Sequence, residues 1–267
     1  MFKKSPIISS VLRKLKKGTQ NLSSLFKGYN IYVNPDKLNL INLAFRKYYP
    51  EATSFADLGG VWKVNAAYSR YTMKKFQIKR GVLVDTTIPE PLAQTLQRYQ
   101  NLQLLWGDFG HPSVIDAIGS VDVILLFDVL LHQANPDWDQ IIEHYANKCS
   151  CFIIYNQQYI RGEQSVRLTD LPIDEYKEIA SDHAEELTQY VYEHKNEIHP
   201  EYGKPWKDIH NITQWGITDN SLRKLMNRLG FKEVFYKNYG MFINLSAFEE
   251  HAFIFIKDHS CPTEILD

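Results

Sequence analysis

Three acidic residues stand at the ends of three successive apolar runs, and each is followed by a turn. The first run, Thr53–Asp57, passes through Leu58 into Gly59-Gly60 and then a helical stretch. Glycine lets the backbone turn sharply and approach a ligand closely, and a helix start presents N–H groups that lack intrahelical partners. Asp57 at such a point can receive an ammonium or a ribose hydroxyl. The second run, Gly81-Val82-Leu83-Val84-Asp85, places an acid on the neighbouring strand tip, where it reaches the ribose hydroxyls of an adenosine ligand. The third ends in Gly107-Asp108-Phe109, a carboxylate beside an aromatic face. Asp108 suits the exocyclic amine of adenine, and Phe109 suits stacking on its ring. Each acid alone also reads as a plain helix cap, Asp108 for a helix starting near residue 111. Three in a row on one sheet edge form the more specific pattern.

The elements that must hold these tips follow from the alternation of short apolar runs with helical patterns. Strands are expected at Thr53–Asp57, Val82–Asp85, Leu102–Trp106, Val121–Phe127 and Cys151–Tyr155, with helices near 64–78, 90–99, 111–118 and 136–148. Strand, crossover and strand at this spacing is the signature of a parallel doubly wound sheet. The nearly unbroken apolar run ending in Phe127 predicts a central strand covered on both faces. A helix is expected from Pro35 to Tyr49, with Leu38, Ile41, Leu43, Ala44 and Tyr48 as its stripe and Pro50 as its stop. Residues 161–213 break the rhythm and include a charged helix near 173–197. A helix at 218–229, capped by Thr218 and ended by Gly230, then leads to two closing strands, Phe231–Tyr239 and Ala252–Lys257, expected to be antiparallel. The organisation read from this is an N-terminal helical extension (1–50), a core (51–160 and 214–260) and a lid insertion (161–213).

On these residues the chain resembles a class I S-adenosylmethionine-dependent methyltransferase over about 52–160 and 215–257. Asp57-Leu58-Gly59-Gly60 matches the acidic-x-Gly start of that family's first motif, Asp85 its second, and Asp108-Phe109 its adenine-side motif. Phe127-Asp128-Val129-Leu130-Leu131-His132 resembles the strand-four segment F-x-x-V-L-H-H, and Gly230-Phe231 the L-x-x-x-G-F before the last hairpin. The resemblance implies a Rossmann-like α/β three-layer sandwich with a seven-stranded mixed sheet. It also implies S-adenosylmethionine as cofactor, S-adenosylhomocysteine as product, and cofactor contacts from Asp57, Gly59, Gly60, Asp85, Asp108, Phe109, Phe127 and Asp128. The family's later glycines are replaced by Val61, Trp62 and Lys63. That turn would crowd a pyrophosphate but leaves room for a sulfonium, which disfavours a nicotinamide-dependent oxidoreductase on the same fold.

No N/D-P-P-Y motif follows strand four, which argues against amino-group methylation of DNA bases or glutamine. A catechol-type metal site would need a second Asp where Tyr155 stands beside Asn156, so no metal is expected. His132 is the candidate general base for a hydroxyl acceptor, since an imidazole titrates near neutral pH, although a pocket-shaping role fits the same position. The insertion carries His183, His194, His199 and His210 with Tyr190, Tyr202 and Trp206, and Tyr159 and Trp215 flank it. Within it His210-Asn211-Ile212-Thr213-Gln214-Trp215 leads directly into the core. His210, Trp215, Tyr155 and Asn156 are the expected substrate contacts. The reading is O-methylation of a small or medium metabolite in a biosynthetic or tailoring pathway, with N-methylation as its alternative.

Bulk properties narrow the classes. Over 267 residues the formal net charge is −1 and the chain is 44% hydrophobic, which argues against a nucleic-acid partner. Cys149, Cys151 and Cys261 form no metal spacing and read as reduced thiols, with Cys149 and Cys151 expected on one face of a strand. No run is long enough to span a bilayer, so a cytoplasmic enzyme is expected, with a homodimer left open. Residues 1 to about 30 carry Lys3, Lys4, Arg13, Lys14, Lys16, Lys17 and Lys27 without an acid, and Ile8, Val11, Leu12 and Leu15 at helical spacing. This basic amphipathic helix reads as a cover over the substrate site or as a peripheral membrane contact, the latter suiting a non-catalytic scaffold.

Overall fold

The structure is a computed structural model that describes residues 31–180, 185–200, 202–210, 212–241 and 246–258. The basic segment 1–30, His183, Asn211 and Cys261 lie outside the described residues.

The expected alternation folds into one seven-stranded sheet. Its strands are β1 (Ser54–Leu58), β2 (Arg80–Asp85), β3 (Leu102–Trp106), β4 (Val123–Phe127), β5 (Cys151–Tyr159), β8 (Phe231–Met241) and β9 (Phe248–Lys257), in the order β3-β2-β1-β4-β5-β9-β8. The first five are parallel, and the last pair closes the sheet antiparallel. Strand order reverses between β1 and β4, so the crevice outside their carboxyl ends is the topological switch point where such sheets take ligands. Every residue of β4 is buried, as its unbroken apolar sequence predicts for a strand covered on both faces.

Helices α1 (Pro35–Leu43), α2 (Ala67–Lys75) and α3 (Glu90–Leu96) cover one face, packing Leu40, Tyr68 and Leu92 against Phe55, Leu83, Leu125 and Ile153. Helices α4 (Pro112–Ile118), α5 (Trp138–Ala146) and α8 (Asp219–Arg228) cover the other, where Ile115, Ile141 and Leu222 meet Ala56, Val84, Ile124 and Phe152. The insertion contributes the two-residue strand β6 (Val166–Arg167), which pairs with β7 (Trp215–Gly216), and helices α6 (Ile173–Ile179) and α7 (Glu185–Glu193).

Four local expectations are corrected. The helix expected at 64–78 begins only at Ala67, because Lys63, Asn65 and Ala66 all adopt positive φ in the turn after β1. The single charged helix expected at 173–197 is two: Ala180 leaves helical geometry as Tyr176 and Ile179 turn inward to pack on Leu168 and Phe248. The stripe of α1 is rotated by one residue, so that Lys37, Leu40 and Ile41 are buried while Leu38 is only partly covered. Cys149 and Cys151 pack on opposite faces, because Cys149 precedes β5 and is not subject to its alternation. Among the described residues no helix is long and apolar enough to cross a membrane.

Candidate functional site

The turn after β1 is built around Asp57. Its side chain is fully buried and accepts a hydrogen bond of 2.6 Å from the Ser69 hydroxyl on α2. Burial pushes its pKa up to about 6, and the Ser69 hydrogen bond only partly offsets this. Gly59 takes φ +75°, and a Cβ there would stand 2.7 Å from Val129 Cγ1. A Cβ on Gly60 would fall onto the Asp57 carboxylate. Both glycines are therefore required by close approach.

Asp85 closes the same turn from the next strand. Its carboxylate accepts from the backbone N–H of Val61 at 3.0 Å and of Thr87 at 3.1 Å, and burial raises its pKa. Asp108 lies beyond β3. Burial alone would raise its pKa, but hydrogen bonds from His210 and the Gly110 amide, together with nearby Lys204, hold it well below the usual carboxylate range. Its Oδ2 lies 3.4 Å from both Lys204 Nζ and His210 Nε2, and Lys204 also donates to the Asn135 carbonyl at 2.8 Å. The β3 tip thus holds the insertion down. Phe109 is buried in the core beneath Gly59, and its carbonyl accepts from Tyr145 Oη.

A second centre forms where β4 and β5 end. Asp128, in left-handed backbone geometry, pairs with the buried ammonium of Lys37 from α1. The Lys37 nitrogen sits 4.9 Å from the Tyr155 ring centroid, 5.8 Å from Phe127 and 5.9 Å from Tyr68. Burial opposes its charge, but Asp128 and the surrounding groups raise its pKa, so it stays protonated. The Tyr155 hydroxyl donates to Glu250 at 2.6 Å and accepts from Asn34 Nδ2. Asp128 Oδ1 is buried and makes no hydrogen bond. Tyr155 and Asn156 face opposite sides of the sheet, as strand alternation requires.

His132 lies on the short turn Leu130–His132 after β4. Its Nδ1 is 3.1 Å from the Ile212 carbonyl, which can only accept, so Nδ1 carries the proton and Nε2 the lone pair. Burial lowers its pKa, which keeps the ring neutral at pH 7. The His132 carbonyl in turn accepts from His210 Nδ1 at 3.2 Å, and Trp215 Nε1 donates to Asp137 at 3.3 Å. His199, Tyr190 and Trp206 pack on one another within the insertion.

The structure therefore brings Asp57, Gly59, Gly60, Asp85, Asp108, Phe127, Asp128, His132, Tyr155 and His210 to one edge of the sheet. Sequence reasoning missed Lys37, Asn34, Tyr68 and Lys204. The signal for Lys37 was its place at the head of the stripe completed by Leu40, Ile41 and Ala44.

No protein-family model and no curated protein matches this sequence. Solved structures do. A Burkholderia thailandensis 1,6-didemethyltoxoflavin-N1-methyltransferase, bound to 1,6-didemethyltoxoflavin and S-adenosylhomocysteine, aligns over 96% of this chain and 92% of its own at 12% identity and a TM-score of 0.55. Coclaurine N-methyltransferase, bound to N-methylheliamine and S-adenosylhomocysteine, aligns over 86% and 78% at 12% identity and 0.53. The N-terminal domain of EvdMO1 with S-adenosylhomocysteine aligns over 84% and 82% at 13% identity and 0.52. The chain has the class I methyltransferase fold. At these identities the likeness concerns architecture, and the expected seven-stranded mixed sheet is that of the fold.

Proposed function

We propose that this chain is an enzyme that transfers a methyl group from S-adenosylmethionine to a small-molecule acceptor, at a hydroxyl. The observation that carries the reading is the row of carboxylates Asp57, Asp85 and Asp108 on three consecutive strand tips, the first two buried and the third part-exposed, set around Gly59-Gly60 at the switch point. A carboxylate row repels a pyrophosphate and attracts a cation, and the Val61 N–H, a group suited to cradling a phosphate, is already given to Asp85. This disfavours the nicotinamide alternative. The orphaned Asp128 Oδ1 supports the same reading, because the cofactor brings both a sulfonium and an ammonium.

The residues present fit that cofactor. Asp85 would hold the ribose hydroxyls and Asp108 the adenine amine, each through lone pairs left over from its protein bonds. The turn backbone at Gly59 and Gly60 would lie against the methionine half. Asp57 and Asp128 would face its ammonium, and Lys37 its carboxylate. Tyr68 and Phe127, packed edge to face at 5.0 Å, supply aromatic surface for a sulfonium. When bound, the cofactor supplies an activated methyl on sulfur for in-line transfer.

The chain's own residues do the rest. His132 Nε2, fixed as the lone-pair nitrogen, takes the acceptor's hydroxyl proton as the new bond to carbon forms. The insertion, tied down through Lys204 and His210, excludes water from that step. Residues 161–213 are thus the lid, and 31–50 cover the β4–β5 tips through α1.

Calorimetry on the full chain tests the reading: S-adenosylhomocysteine should bind with micromolar affinity and NAD should not. Binding of NAD alone would overturn it. Transfer of labelled methyl to hydroxylated rather than amine acceptors decides between oxygen and nitrogen.

A further inference from the structure

Beyond His132, the face of β5 that carries Asn156 holds polar groups that neither the fold nor the proposed cofactor engages. Asn156 and Gln158 are 0% and 1% exposed. Both amide atoms of Gln158 are buried without a hydrogen bond, and so is Asn156 Oδ1, whose amide nitrogen is given to the Gln157 carbonyl. The two residues lie two apart on one strand, so their side chains share a face, the one that also carries His251. Their neighbours make full use of their own groups: His251 bonds Asp219 and Glu249, and Glu249 also takes Asn238. The orphaned amides are thus not short of possible partners nearby; the neighbouring charges are committed to one another.

These amides lie on the strand that packs against the turn carrying the candidate base. The end of β5 packs against the Leu130–His132 turn, which brings the candidate base to the same region. Segment 214–217 bridges the same turn and strand: the Gln214 N–H donates to the Leu131 carbonyl at 2.9 Å, and the Tyr159 N–H to the Ile217 carbonyl at 2.7 Å. Beside it, Gln133 Oε1 is a further buried acceptor without a partner.

We propose that Gln158 and Asn156 recognise the acceptor through an amide-like edge, an N–H beside a C=O in one plane, with a further donor directed at Asn156. A primary amide presents a donor and an acceptor in one plane, and its complement is a second amide edge, as in a lactam or a cyclic imide. The orphaned atom of Asn156 is its Oδ1, an acceptor, so the ligand brings a second N–H or O–H to meet it. A site built this way rejects an analogue that lacks the matching group, since binding it would leave buried amides unpaired. The inference rests on the methyltransferase reading for the hydroxyl to be methylated, but its recognition chemistry can be read separately.

The test uses the full chain saturated with S-adenosylhomocysteine and three probes: a hydroxy-2-pyridone, its N-methyl counterpart and a dihydroxybenzene. Ligand-observed NMR should show the pyridone bound at least about tenfold more tightly than either control. Gln158→Met, which keeps the length of the side chain, should abolish that preference and leave the S-adenosylhomocysteine affinity within twofold. The same variant should melt higher than wild type without ligand, because it removes two orphaned polar atoms. Gln158→Leu repeats the test should the first variant fold poorly. Equal binding of the three probes, no binding of any, or a preference that survives both substitutions would overturn the proposal. A lower melting temperature would also overturn it, since it would mean that a buried water already satisfies the amide. Failure of S-adenosylhomocysteine to bind wild type would instead strike the cofactor reading, and pyridone selectivity would then be measured on the protein alone.

Discussion

The carboxyl edge of the sheet has two halves that treat their polar groups differently. On the β1–β3 half every carboxylate is held by the protein: Asp57 by Ser69, Asp85 by the turn amides, Asp108 by Gly110, His210 and Lys204. On the β4–β5 half, Asp128, Gln133, Asn156 and Gln158 each keep at least one buried atom without a partner. A buried polar atom left unpaired costs about 1–3 kcal/mol. Such a cost concentrated on one side marks the half where a partner must come from outside. On the proposed reading the first half is a preorganised platform, and the second is completed by what it binds.

The largest expected effect tests the platform. Gly60→Ala would drive a methyl group into Asp57, and the S-adenosylhomocysteine affinity should fall more than about a hundredfold by calorimetry. Retention of affinity within threefold would show that the turn is not preorganised. On the other half, His132→Ala should lower kcat about a hundredfold and leave S-adenosylhomocysteine binding unchanged. A loss confined to KM would assign His132 to binding rather than to proton transfer.

Lys37 joins α1 to the β4 tip. Lys37→Met would strand Asp128, and urea unfolding should register a loss of about 2–3 kcal/mol, less than for a fully buried pair because Asp128 keeps some exposure. Adding Asp128→Asn should restore most of it. The platform also carries a pH signature. Asp57 has its folded pKa raised from 3.8 to about 6, so the folded state binds the proton more tightly and stability falls as pH climbs from about 4 to about 6. Asp57→Asn should therefore melt a few degrees above wild type at pH 7.5 and level with it near pH 4. A gain independent of pH would refute the assignment. The smallest effect belongs to the insertion: Lys204→Ala should lower stability by about 0.5–1 kcal/mol and speed amide exchange in 161–213 more than in the core.

The halves also differ in how far the sequence reveals them. Asp57, Asp85 and Asp108 follow from local rules, because a short apolar run, an acid and a turn carry their own register. The seven strands follow from the same apolar runs, whereas their order in the sheet appears only in the fold. The β4–β5 half depends on residues that meet only through the fold. Lys37 lies 91 positions from Asp128, and Gln158 becomes notable only because nothing around it pairs with it. The insertion resists reading for a related reason: its aromatic residues pack on one another through contacts between short, irregular pieces, and no period marks which of them face inward.

The hold of Lys204 and His210 on Asp108 has a thermodynamic consequence. The carboxylate that fastens the insertion is also the one proposed to hold the adenine amine, and on that reading closure of the insertion and occupancy of the β3 tip share one free energy. Whatever factor a bound adenosine applies to the closing equilibrium, closure must apply the same factor to adenosine affinity. Weakening the fastening therefore changes affinity and opening together, in a ratio fixed by that linkage and not by either site alone.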